Sequence, residues 1–400
     1  MSALLRRTLL AAPALALHPA HAQGNELRLG AIFPFSGGLA LLADEYCRGL
    51  ELAVEERNAS GGLLGRPLRL LKADATDATQ ATTEARRLLG TDRAALLFGG
   101  LSSPVAQAAA AVAEAQGSTY CELAANADSL TERGQRGLFR TAPRATELAQ
   151  ATLRATTTLL APHWRKPPGA IAIALLHEEG SFGQAMATAQ EAETRQQGLT
   201  LVAKLSYPGR TAAMPELLLR LREAGAELVL HAGIQNDILL FFRAMQQMGW
   251  RPRQVLGAGA GYSLADVAQG IGTAFDGTLT MDVPPLALPE VAAPGAARLA
   301  EAYARRWASP PRSGHSLAGY VGARAVLEAA QRASGLERDK LRPALLALDV
   351  PEGGCANGWG LRLDEKGQNS RAHPVLAQWQ GGSLRAVWPA AAAMAPLSPP

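Results

Sequence analysis

Aromatic residues make up only 5% of this 400-residue chain, charged residues only 18%, and cysteines number three. So few aromatics disfavour a surface that stacks bases. No run of Lys or Arg is present that could track phosphates, so a nucleic-acid partner is not expected. Cys47, Cys121 and Cys355 fit no zinc spacing and allow at most one intramolecular bridge; the residue patterns read them as structural thiols. His163, His177, His231, His315 and His373 are scattered without an H-x-x-x-H pair, so neither a metal nor another cofactor is expected. After residue 22 no segment is long and apolar enough to span a bilayer, and no integral membrane segment is expected.

Catalytic motifs are missing as well. There is no G-x-x-x-x-G-K-[ST] loop to cradle phosphates. Gly257-Ala258-Gly259-Ala260-Gly261 reads G-x-G-x-G rather than the dinucleotide-binding G-x-G-x-x-G. A nucleophile elbow needs glycine on both sides of its serine. Gly99-Gly100-Leu101-Ser102-Ser103-Pro104 lacks that pattern, and Gly314-His315-Ser316 opens a helix with no strand before it. Glu178-Glu179 reads as solvated loop charge. With no nucleophile–base pair to name, no enzyme is expected.

What is present begins with an address. Arg6-Arg7 precede the apolar run Thr8–Leu17, and Ala20-His21-Ala22 forms an A-x-A cleavage site, so residues 1–22 read as a cleavable signal peptide. The arginine pair followed by Thr8-Leu9-Leu10 also permits twin-arginine export. The leader carries two arginines and no acid, so its removal lowers the formal charge from +4 to +2. The remaining length suits about two domains, and 48% hydrophobic residues can fill sizeable cores.

Strand and helix patterns then alternate. Leu27–Phe33, Leu68–Lys72 and Ala94–Phe98 read as strands, each followed by a helical pattern, with Leu50, Ala53, Val54 and Arg57 at helical spacing in the first, and Ser118–Cys121 reads as the next strand. Pro162–Gly169 reads as a linker-like break before a second series, with strands at Ala170–Leu176, Leu199–Leu205, Glu227–His231, Gln254–Leu256 and Thr278–Met281. Three helices and a glycine-punctuated stretch of short strands complete the chain, with residues 389–400 expected as a flexible tail. The fold class is α/β, two doubly wound parallel-sheet halves.

Ligands of such sheets sit at the carboxyl ends of the strands. Four loops qualify: Pro34–Gly38, Gly99–Ser103, Glu122–Asn126 and Gly233–Asp237. Ser102 and Ser103 lie where a helix N-terminus favours an anion, or where a serine simply caps it. Asp237 starts another helix, and on local grounds it too reads as a cap.

Here the chain resembles a known family. Gly30-Ala31-Ile32-Phe33-Pro34-Phe35-Ser36-Gly37, the run Leu52–Pro67 with its Asn58-Ala59-Ser60-Gly61-Gly62-Leu63-Leu64-Gly65-Arg66 core, and Lys72–Asp77 are similar to motifs of the leucine/isoleucine/valine-type periplasmic binding proteins. Gly99–Ser103, Phe139-Arg140-Thr141, Phe182-Gly183-Gln184 and Gly319-Tyr320 follow in order. The resemblance implies a type I periplasmic binding protein fold with a three-strand hinge: lobe one at 26–143 plus 262–345, lobe two at 144–261 plus 346–388. It implies a monomer that captures a small molecule between lobes, a branched-chain amino acid or a related amide or apolar metabolite, and delivers it to an ABC transporter permease. A ligand sensor of the same fold is the alternative. Carried over by position, Ser103 would bind the ligand carboxylate with Ser102 beside it. Ala124 would contribute its backbone and Asn126 its amide, Phe182 would cover the ligand, and Asp237 would pair with an ammonium. Leu42 stands near the place of an aromatic residue in the first loop, and Glu122 replaces a small polar residue.

Overall fold

The computed structural model describes residues 26–209 and 213–399. The expected leader therefore lies outside the described residues. Twelve strands are formed among them: β1 Leu27–Phe33, β2 Leu68–Asp74, β3 Leu97–Gly99, β4 Tyr120–Glu122, β5 Leu138–Arg140, β6 Ala172–Glu178, β7 Thr200–Tyr207, β8 Leu228–Ala232, β9 Gln254–Ala258, β10 Leu279–Asp282, β11 Val375–Gln380 and β12 Ser383–Trp388. The α-helices are α1 Ala40–Ala59, α2 Ala78–Arg86, α3 Ser103–Ala115, α4 Ala145–Ala155, α5 Ala161–Trp164, α6 Ser181–Gln196, α7 Met214–Glu223, α8 Gln235–Met248, α9 Ala265–Ile271, α10 Ala296–Trp307, α11 His315–Arg332 and α12 Arg338–Leu346.

Strands covered by helices on both faces read as continuous apolar runs, and β3, β8 and β9 are buried along their whole length. The first sheet has the order β2-β1-β3-β4-β5 and is parallel throughout. The second runs β12-β11-β10-β9-β8-β6-β7; it is parallel from β7 to β10, and β11 and β12 close it as an antiparallel edge. Each sheet reverses strand order once, between β1 and β3 in the first and between β6 and β8 in the second. These reversals open a crevice at the carboxyl ends of the strands.

Two glycines set the crossing of α1 with α11. Helix α1 packs along α11, where a Cβ on Gly49 would overlap the Ser316 carbonyl and one on Gly319 would overlap the Tyr46 carbonyl. Glycine at both points lets the two backbones approach directly.

The pairing differs from the expected segment boundaries in three places. The chain was expected to return to the first lobe at 262, but β10 pairs in parallel with β9 and so belongs to the second sheet. The final passage was expected at 346, yet Val350 bridges Leu361, and Gln368 bridges Arg140 at the end of β5, so this stretch stays beside the first sheet until β11 begins. The segment expected as a flexible tail is packed: Gln378 exchanges side-chain hydrogen bonds with the Ser398 backbone at 2.9 Å each, and Leu397 lies against the second lobe's core. The stretch Pro162–Gly169 links no lobes; it sits between α4 and β6, with Trp164 buried beneath the Arg253 guanidinium at 4.3 Å.

Candidate functional site

The loops at the two order reversals face one another across a cavity of about 260 Å³. Lobe one contributes Leu42 and Tyr46 from α1, Leu101, Ser102 and Ser103 from the β3–α3 turn, Ala124 and Asn126 from the loop after β4, and His315 from α11. Across it stand Glu178 at the end of β6, Ser181 and Phe182 at the start of α6, Ile234 before α8, Asp282 at the end of β10 and Val283 after it. Most of this lining is apolar, with a few convergent polar groups, as small-molecule sites usually are.

Six of the seven residues picked from sequence therefore meet here: Leu42, Ser102, Ser103, Ala124, Asn126 and Phe182. Ser103 opens α3, where the first helical N–H groups have no intrahelical acceptor, and its Oγ accepts the Ala127 N–H at 3.3 Å. The Asn126 amide reaches Met186 Sδ of α6 at 3.9 Å, a contact between the lobes. Phe182 packs partly against the second lobe's core and leaves its ring toward the cavity.

Asp237 is the exception. It does not line the cavity; its carboxylate turns back to accept the Ile234 N–H at 3.1 Å, ahead of α8. A short acid at the third helical position is well placed for that capping bond. Burial raises its pKa, and the Ile234 N–H opposes the rise. The local reading as a cap describes this geometry.

Ala124 is expected to meet the ligand through its backbone. Its N–H is already used by Glu122, whose fully buried carboxylate collects the N–H groups of Gly100 (3.0 Å), Leu101 (3.3 Å), Ala124 (2.8 Å) and Ala125 (2.6 Å), and the Tyr120 hydroxyl (3.0 Å). One acid thus ties the β3 and β4 loops into a single unit. The sequence signal was a lone glutamate in an otherwise apolar strand, a residue that must be paired if it is buried. Beneath it, buried Arg140 fixes the following loop by donating to the Ala125 carbonyl (3.1 Å), the Ala127 carbonyl (2.7 Å) and the Gln368 side chain (2.6 Å). Burial pushes its pKa down to about 10, against the pull of Glu122 and Asp128.

Sequence reading did not single out Asp282 or His315 as site residues. Asp282 is nearly buried; it accepts the Ser263 hydroxyl at 2.5 Å, the Val283 N–H at 2.7 Å and a hydrogen bond from His315 Nε2 to Oδ1 at 3.3 Å, with Oδ2 at 3.1 Å from the same nitrogen. His315 Nδ1 faces the Ser313 hydroxyl at 2.7 Å, which makes that nitrogen the acceptor when the ring is neutral. Glu178 is turned to its own helix start, accepting the N–H groups of Gly180 and Gly183.

All three cysteines are free thiols; Cys47 and Cys121 are buried, and burial pushes Cys47 up to about 12. Among the described residues no group of His, Cys, Asp and Glu could hold a metal, and no helix is long and apolar enough to cross a membrane.

Residues 26–383 match the family model described as "Periplasmic binding protein". Leu/Ile/Val-binding protein homolog 7 of Brucella suis is 39% identical over 376 residues, 94% of each chain. Among solved structures, the branched-chain amino acid transporter substrate-binding protein of Streptococcus pneumoniae in complex with isoleucine superposes with TM-score 0.78 at 17% identity, over 90% of this chain and 98% of that one. A solute-binding protein of an ABC transporter from R. palustris in complex with benzoate superposes with TM-score 0.77 at 20% identity, over 93% and 98%.

Proposed function

The chain belongs to the periplasmic binding protein family, whose members bind solutes and are not enzymes, and on that premise we propose that it captures a branched-chain amino acid or a related small amide or apolar metabolite between its lobes. The observation that carries this reading is the mainly apolar cavity set at the order reversals of both sheets, closed by Leu42, Leu101, Phe182 and Ile234. An aliphatic side chain fits such a lining, and Ser103 at the start of α3 offers hydroxyl and backbone donors to a carboxylate or amide oxygen. The relatives carry names for leucine, isoleucine and valine binding, which points the same way.

The protein is exported by the leader at 1–22, acts as a monomer, and hands its ligand to an ABC transporter permease that recognises the closed form. Closure follows only from contacts that are better in the closed state than in the open one. Ligand at a hundred times its Kd stabilises a protein by about 2.7 kcal/mol. A thermal-shift screen of the mature protein over leucine, isoleucine, valine, aliphatic amides and benzoate is expected to show a rise of a few degrees for one aliphatic class. A rise with benzoate alone, or with none of them, would overturn the assignment.

A further inference from the structure

Among the described residues the cavity is lined by carboxylates and a histidine and by no lysine or arginine, so the charge these side chains can seat is positive. An ammonium drawn into so apolar a space needs an acid beside it. Three acids lie near enough to consider. Asp237 stands behind the lining and caps α8. Glu178 spends both oxygens on the Gly180 and Gly183 N–H groups at the start of α6. Asp282 lines the cavity and takes three donors, while a carboxylate can accept about four.

Its surroundings are built to keep that face open. Gly259, which also lines the cavity, adopts φ +58°, and a Cβ there would come within 3.3 Å of Asp282 Oδ1. The G-x-G-x-G stretch thus has a use unrelated to phosphate: it leaves space beside the acid. Asp282 belongs to the second sheet, while its partner His315 comes from α11 of lobe one, so the carboxylate stands where the two lobes meet.

Resting on the proposed capture of a branched-chain amino acid, we propose that Asp282, held by Ser263 and His315, is the seat of the ligand's ammonium group and determines selectivity for amine-bearing ligands. Bound there, the cation touches both lobes through Asp282 and its histidine, and the carboxylate end of an amino acid falls toward Ser103.

Calorimetry on the mature protein tests this with leucine, with 4-methylpentanoate (leucine without its amine) and with 3-methylbutylamine (leucine without its carboxylate). The wild type is expected to bind leucine at least about a hundredfold more tightly than 4-methylpentanoate, the order of loss seen when one member of a buried charge pair is removed. Asp282→Asn is expected to shrink that preference to a few-fold. Asp237→Asn is expected to lower Tm and leave the preference intact, which keeps the test decisive even if Asp282→Asn fails to fold. Loss of the preference in Asp237→Asn, or its absence in the wild type, overturns the role of Asp282 and leaves the capture of a branched-chain ligand standing. A wild type that binds none of the three probes overturns the branched-chain reading itself, and this assignment with it.

Discussion

Glu122 shows how much one side chain can carry. Its carboxylate satisfies four backbone N–H groups from two loops that line the cavity. Glu122→Ala leaves those donors buried without an acceptor, and breaking a buried charged network costs about 3–5 kcal/mol. Urea unfolding of the variant is expected to show a loss of that order. His231 makes a second, pH-dependent prediction. It is fully buried between the Tyr207 and Tyr262 hydroxyls, and burial pushes its pKa down to about 3. The unfolded chain takes up a proton near the ordinary histidine value of about 6.5, which the native protein refuses until about pH 3. Between those values the unfolded state binds more protons, so stability falls as pH falls, by at most about 1.4 kcal/mol per unit from this residue. Stability against pH for His231→Gln is expected to run flatter across that window; an unchanged slope would count against the buried neutral ring.

At the scale of elements, the long buried strands β1 and β6 and the glycine-bounded helices α1 and α11 were plain in the sequence, because periodicity over many residues leaves a signal. The three-residue strand β5 and helix α4, which follows it at once, were not identified. A strand of three residues carries little alternation; β3 and β4, equally short, are read from the longer segments Ala94–Phe98 and Ser118–Cys121. The contact of α1 with α11 was equally hidden, since nothing in Gly49 or Gly319 names its partner. Overpacking usually costs about 1–3 kcal/mol. Gly319→Val sets a branched side chain against the Tyr46 carbonyl and is expected to lose at least that much, read as a fall in the urea midpoint without a change in slope. Unaltered stability would mean that the helices separate freely.

At the scale of the whole molecule, the cavity belongs to neither lobe alone. Contacts such as Asn126 with Met186 and Asp282 with His315 cross between them. Small-angle scattering with and without leucine is expected to show a smaller radius of gyration in the bound form. An identical profile under saturating ligand would argue against closure as the response to binding.

The alternation of apolar strand and amphipathic helix determined the α/β class, and the turns after the strands hold six of the residues that line the cavity: Leu101, Ser102, Ser103, Ala124, Asn126 and Ile234. Both are local: a strand buried on two faces must be apolar throughout, and a loop at a strand's carboxyl end must carry small and polar residues. Membership of a particular sheet is another matter. The strand at β10 was recognised, but only its pairing with β9 and β11 places it in the second lobe, and with it Asp282. Nor could sequence decide between Asp237 and Asp282. Each acid follows a strand, and the direction of a carboxylate depends on which donors reach it first. For Asp237 that donor lies three residues back on its own chain; for Asp282 one lies 33 residues onward in the other lobe, a proximity that exists only once the chain has folded.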